Sequence, residues 1–272
     1  VTGRARKAVV LARGLGTRMR QPDGIARLDP AQEEVAASGV KAMISFGRPF
    51  LDYVLSALAD AGLEEVCLVI GPEHAAVREY YTQTAPPRRL SVAFAVQQEP
   101  RGTADAVLSA EEFAAGEDFL VINSDNIYPV TALSALVRLS EPGAALFERD
   151  ALIAQGNIPA ERIASFAVCR VGPDGYLEEI LEKPDPAALA SLGPDALVSM
   201  NCWRFSPTLF EACRRVPLSS RGELELPAAV REAIHAGVRF KVVRSREGVL
   251  DLSRRSDVAA VAERLRGITA DP

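Results

Sequence analysis

The chain has 272 residues, 48% of them apolar and 25% charged, which is enough apolar material for one sizeable core or two smaller ones and excludes a disordered chain. Its 31 basic and 36 acidic side chains leave a net charge of −5 with no dense block of Lys and Arg, which speaks against nucleic acid or an anionic membrane as the main partner. No apolar stretch approaches the roughly 20 residues that span a bilayer. The basic stretch Val1–Lys7 leads into no signal-peptide hydrophobic region, so the expected location is the cytoplasm.

In chain order, Ala8–Leu11 is a short, wholly apolar run stopped by a glycine turn, the pattern of a strand buried on both faces of a parallel sheet. Asp29, Pro30 and Gln32 carry the signature of a capped helix start, and Gly39 can end that helix. Phe50, Leu51, Val54, Leu55, Leu58 and Ala61 recur at helical spacing before Gly62, and Val66–Ile70 follows as a second buried strand. Leu90–Gln97 alternates, Thr103–Phe113 reads as an Ala-rich helix, and Phe119–Ile122 is another apolar run before Asn123-Ser124-Asp125-Asn126. Beyond Asp150 the spacing predicts strands over Phe166–Val171 and Leu197–Phe205, with a hairpin turn at Pro173-Asp174-Gly175 and a loop at Lys183–Pro186. A helix over Leu226–Ala236, a strand over Val238–Val243 and a helix over Ser256–Leu265, capped by Ser256, complete the order. The fold class is α/β: three layers, a mixed and mostly parallel sheet with helices on both faces, and ligands beyond the carboxyl ends of strands.

Cys67, Cys169, Cys202 and Cys213 are far apart and read as reduced core residues. His74 and His235 are the only histidines, too few and too separated for a His-based zinc site or a Ser-His-Asp hydrolase. Gly14-Leu15-Gly16-Thr17-Arg18 follows the first strand, where two glycines let backbone N–H groups approach phosphate oxygens and Arg18 supplies a cationic fork. It is neither a Walker loop nor a dinucleotide fingerprint, because Met19 stands where the last glycine of the latter belongs. Asp125, just past a central strand, is a candidate metal carboxylate, or alternatively a turn cap with Asn126. Asp251, flanked by Leu250 and Leu252, is placed in the same manner.

The glycine turn, Gly39-Val40-Lys41, Val96–Ala106, Asn123–Asn126, Ile180–Pro184 and Val249–Asp251, in this order, resemble the sugar-1-phosphate nucleotidyltransferases, above all the glucose-1-phosphate thymidylyltransferase and uridylyltransferase branch. Glu161-Arg162 and Gly222–Leu226 add to the likeness, which runs from Lys7 to Leu265. The resemblance implies a Rossmann-like nucleotidyltransferase domain over 1–272, with 7–150 mainly binding nucleotide and 151–265 mainly binding sugar phosphate. It implies transfer of a nucleotidyl group from a nucleoside triphosphate, UTP or dTTP first, to a sugar 1-phosphate with release of pyrophosphate and with Mg²⁺ as cofactor. Neither nucleic acid nor membrane is an expected partner, and homo-oligomerisation is left open.

By the same likeness Leu11, Gly14, Gly16, Thr17, Gln97, Gly102 and Thr103 bind the nucleotide, with Gln97 rather than Gln98 reading the base. Arg18, Lys41, Asp125 and Lys183 are the catalytic set, Asp125 and Asp251 hold the metal, and Glu182, Lys183 and Asn201 take the sugar phosphate. The chain departs from the family at Arg13, usually a small residue; at Ala42, usually proline; at Asn201, usually glycine; and at Ser253-Arg254-Arg255, usually a glycine-containing turn. The segment between Arg18 and Lys41 is also longer than the family pattern, which motivates a short helix delivering Lys41 over the triphosphate. Two other readings are a glycosyltransferase of related fold, against which the absence of any Asp-x-Asp stands, and a non-catalytic nucleotide-sugar sensor, which would not need both carboxylates.

Overall fold

A computed structural model describes residues 3–21, 28–193 and 195–272; Val1, Thr2 and residues 22–27 of the long segment before Lys41 lie outside them. The strands are β1 (Lys7–Leu11), β2 (Glu65–Ile70), β3 (Ser91–Val96), β4 (Phe119–Asn123), β5 (Asn126–Ile127), β6 (Gly143–Phe147), β7 (Ala167–Val171), β8 (Leu177–Glu182), β9 (Leu197–Phe205), β10 (Lys241–Ser245) and β11 (Leu250–Asp251). The main sheet runs β10-β6-β9-β4-β1-β2-β3, with β7 pairing both β9 and β8. β4, β1, β2 and β3 are mutually parallel, and β9 lies antiparallel between β4 and β6.

Alternate residues of the central strands feed opposite faces. Ala8 and Val10 of β1 and Leu120 and Ile122 of β4 enter one apolar cluster, while Val9, Phe119 and Val121 enter the other. Helices Phe50–Asp60, Val130–Arg138 and Asp257–Leu265 cover the first face; Thr103–Leu108, Leu209–Arg215 and Leu226–His235 cover the second. This burial on both sides is why the strands read as continuous apolar runs. It also leaves only the strand ends for polar chemistry, and the carboxyl ends of β1 and β4 are register partners at Leu11 and Asn123.

The expected strands and helices form with four instructive differences. The Ala-rich helix is two pieces, Thr103–Leu108 and Glu111–Ala114, and at the break the Ser109 hydroxyl donates to the Asp105 carbonyl at 3.1 Å. The strand expected from Val238 begins at Lys241, because the Val238 N–H closes the preceding helix on the Ala233 carbonyl at 2.9 Å. Ser256 makes no capping bond with its side chain; the Asp257 carboxylate instead reaches back to the turn before the helix, accepting from the N–H groups of Ser253 at 2.9 Å and Arg254 at 2.8 Å. The loop at Lys183–Pro186 also opens a helix not expected from the sequence, Pro186–Ser191, capped by Asp185 on the Ala188 N–H at 2.8 Å. All four cysteines are free and buried.

Candidate active site

The glycine turn leaves β1 and starts the short helix Thr17–Arg20 with Gly16 in the left-handed region at φ 61°. A Cβ there would lie 2.1 Å from the Gly39 carbonyl oxygen, so this turn and the end of helix Pro30–Ser38 touch backbone to backbone. That helix has the expected capping box: Asp29 accepts from the Gln32 N–H at 2.8 Å, and Gln32 Oε1 accepts from the Asp29 N–H at 3.2 Å. Arg255 ties the two segments down, donating to the Met19 carbonyl at 2.8 Å and pairing with Glu33. Immediately after Gly39 the chain delivers Lys41 to Asp125, and the two side chains form an ion pair. Burial works against the Lys41 charge, but Asp125, by charge and hydrogen bond, and Asp251 outweigh it and hold the ammonium above its ordinary range.

Asp125 lies in the turn after β4, and β5 then pairs antiparallel with β11, setting Asn126 opposite Asp251. The Leu252 N–H donates to the Asp125 carbonyl at 2.9 Å, so the turn carrying Asp125 is tied to the residue that follows Asp251. Asp251 is buried; its Oδ1 accepts from Asn126 at 2.9 Å and Ser253 at 3.1 Å, and its Oδ2 from Arg162. Burial first, and then the charge of Asp125, raise the Asp251 carboxyl, while Arg162 pulls the other way. Arg162 also pairs with Asp257 at 2.7 Å. Two carboxylates that feel each other's charge, offering oxygen alone, suit a small hard cation that completes its shell with phosphate and water. Among the described residues no cage of three or more His, Cys, Asp or Glu exists.

A cleft of about 470 Å³ opens over these strand ends. Every nucleotide-side residue expected from the sequence lines it: Leu11, Gly14, Gly16, Thr17, Arg18, Lys41, Gln97, Gly102, Thr103 and Asp125. Of the two candidate metal carboxylates, Asp125 is part of the wall and Asp251 is not. Gln97 is buried and Gln98 exposed, so of the two only the former turns inward. Gly102 has φ 118°, and a Cβ there would meet the Leu224 carbonyl oxygen at 2.4 Å, the close approach for which only glycine serves. The Thr103 hydroxyl accepts the Leu226 N–H at 2.8 Å, joining this corner to helix Leu226–His235.

A second cavity of about 190 Å³ is lined by Glu182, Lys183, Ser165, Phe166 and residues 199–201, and it shares Arg18, Asn123 and Asn201 with the first. Arg18 therefore stands between the two, and among the described residues no carboxylate pairs with it. Lys183, at φ 45°, and Asn201, at φ 55°, are left-handed without being glycine. At Asn201 the pairing of β9 with β6 slips, Ala144 facing Trp203 and Leu146 facing Ser199, so the glycine-like backbone survives the change of residue. Glu182 is raised to about 7, chiefly by burial and then by Glu225.

The cleft wall also includes Ser253 and Glu223, to which the sequence assigns no site role, and Asp105 stands behind Gln97, accepting from its Nε2 at 2.8 Å. Arg13 announced itself only as a departure: its Nε donates to the Gln97 carbonyl at 2.8 Å and its Nη2 to the Gln98 carbonyl at 3.3 Å.

A family model described as nucleotidyl transferase matches residues 7–258. The chain belongs to that family. A UTP-glucose-1-phosphate uridylyltransferase from Haloferax volcanii is 28% identical over 265 residues, 96% of each chain. A glucose-1-phosphate thymidylyltransferase from Streptomyces antibioticus is 30% identical over 242 residues, 85% of this nucleotidyl transferase but only 58% of that protein. Among solved structures, a UDP-glucose pyrophosphorylase complexed with UDP-glucose superposes with a TM-score of 0.75 at 17% identity, covering 96% of this chain and 98% of that one. The likeness bears out the fold and the sugar-1-phosphate nucleotidyltransferase resemblance drawn from the motifs. No helix among the described residues of this nucleotidyl transferase is long and apolar enough to cross a membrane.

Proposed function

We propose that this chain joins a nucleoside triphosphate, UTP or dTTP, to a sugar 1-phosphate. The observation that carries the reading is the pair of abutting cavities with Arg18 on their common wall. The larger is sized and lined for a nucleotide, and the smaller for a phosphorylated sugar against Glu182, Lys183 and Asn201. UTP is the first choice because the relative that matches over 96% of both chains is named for it.

In the reaction, an oxygen of the sugar phosphate forms a bond to the α-phosphorus as the bond from that phosphorus to the bridging β-oxygen breaks, and pyrophosphate leaves with the electron pair. No protein nucleophile is needed; positioning and charge neutralisation do the work. Gln97 and Gly102 hold the base, the Gly14–Thr17 backbone and Lys41 hold the phosphates, and Arg18 steadies the charge growing between the two reactants. Lys183 grips the sugar phosphate, and Glu182 accepts from sugar hydroxyls. Asp125 and Asp251 would hold Mg²⁺, which when bound supplies Lewis-acid stabilisation of the phosphate oxygens. Arg162 keeps Asp251 in place.

Pyrophosphate release tests the reading, with Mg²⁺, each nucleoside triphosphate and a panel of sugar 1-phosphates. Release that requires both substrates is expected. Nucleotide binding without release for any pair would leave the non-catalytic sensor as the better account.

A further inference from the structure

Both amide protons of Gln97 are committed inside the protein. Its Nε2 donates to the Gly102 carbonyl at 3.0 Å and to Asp105 Oδ2 at 2.8 Å. A carbonyl and a carboxylate can only accept, so turning the amide over would set Oε1 against two oxygens. The neighbours' chemistry thus fixes which end of the amide is which. Asp105 is itself buried and held by Arg101 at 2.6 Å, and Arg13 pins the main chain of Gln97 and Gln98 from behind. What remains toward the cleft is Gln97 Oε1, which accepts no hydrogen bond from any described residue.

We propose that Asp105 is a positioning residue that sets the polarity of the Gln97 amide, so that the reading end of the cleft offers an acceptor and the base must bring an N–H to it. Of the pyrimidines, uracil and thymine bring a ring N–H at N3, whereas cytosine in the same pose turns an N3 lone pair toward the acceptor and has its N–H donors only on the exocyclic N4. The proposal rests on the cleft being a nucleoside triphosphate site, and it adds how the base is chosen. A donor-capable side chain at position 105 weakens the constraint, because the Gly102 carbonyl alone then opposes the turned amide.

The test is calorimetric titration of UTP and CTP, in Mg²⁺ buffer and without sugar phosphate, into the wild type, Asp105→Asn and Asp105→Glu. The wild type is expected to bind UTP about tenfold more tightly than CTP, the worth of one well-made hydrogen bond against an unsatisfied one. Asp105→Asn should narrow that gap severalfold, chiefly by weakening UTP, with the Gly102 carbonyl keeping the remainder, while Asp105→Glu, which still only accepts, should keep it. Should Asp105→Asn fail to fold, Asp105→Ser, smaller and able to donate, serves in its place with the same expected narrowing. An unchanged gap in the donor variants, an equal weakening of both nucleotides, or equal affinities in the wild type would each overturn the proposal. Absence of pyrophosphate release alongside an Asp105-dependent gap would overturn the transfer reaction instead and leave this inference standing.

Discussion

The two sides of the cleft are built by opposite means. The proposed nucleotide side hangs on the carboxyl ends of parallel strands, the buried β1 and β4 and the partly exposed edge strand β3, and its tight backbone is made of glycine, at Gly16 and Gly102. The proposed sugar side hangs on the antiparallel strands β7, β8 and β9, and its left-handed positions carry Lys183 and Asn201, which line the smaller cavity. Backbone freedom is spent on close approach in one region, and in the other strain of roughly 1–3 kcal/mol per residue is borne to aim a functional group. The first region should therefore tolerate no added atom, and the second should gain stability and lose function when its strain is relieved.

The largest effect belongs to the nucleotide side. Asp125→Asn should lower kcat by about a hundredfold or more in pyrophosphate-release assays, since it removes charge-stabilising chemistry at the α-phosphate. Nucleotide affinity should survive, and unchanged turnover would remove Asp125 from the mechanism. On the sugar side, Lys183→Ala should raise the KM for sugar 1-phosphate while leaving that for nucleotide alone, by the ~1.5–3 kcal/mol of a charge-assisted contact. A rise in both constants would erase the division between the two sides.

A smaller effect follows from Glu182. With its carboxyl raised to about 7, it is mainly protonated below that pH and becomes an acceptor-only carboxylate above it. The KM for sugar phosphate should accordingly fall as pH rises through 7 and level off above it. In Glu182→Gln that inflection should vanish from the pH profile. Smallest is Asn201→Gly, which relieves the left-handed strain and should raise the melting temperature through a gain of about 1 kcal/mol, with poorer sugar-phosphate binding. A lower melting temperature would show that Asn201 is held there by packing rather than by use.

The same contrast explains what could be read from the sequence. Buried strands ending in glycine or acid announce themselves locally, which is why β1, β4, the Gly14–Arg18 turn and Asp125 were legible, and why Leu197–Phe205 forms over its expected span. The capping box at Asp29 was equally local. Partnerships made through tertiary contact were not: nothing near Asp251 in the chain points to Arg162, and nothing near Gln97 points to the role of Asp105. Arg13 looked like a defect in a motif, although its guanidinium is what grips the end of β3. The Ala-rich pattern does not announce the break after Leu108, where the Ser109 hydroxyl donates one turn back to the Asp105 carbonyl.

The account stands or falls on where the α-phosphorus goes. With triphosphate labelled at that atom, Mg²⁺ and the sugar 1-phosphate identified by the substrate panel, the label should pass quantitatively into a nucleotide diphosphate sugar, with equimolar pyrophosphate, and should not do so in Asp125→Asn. Label recovered as nucleoside monophosphate, or transfer undiminished in that variant, would contradict it.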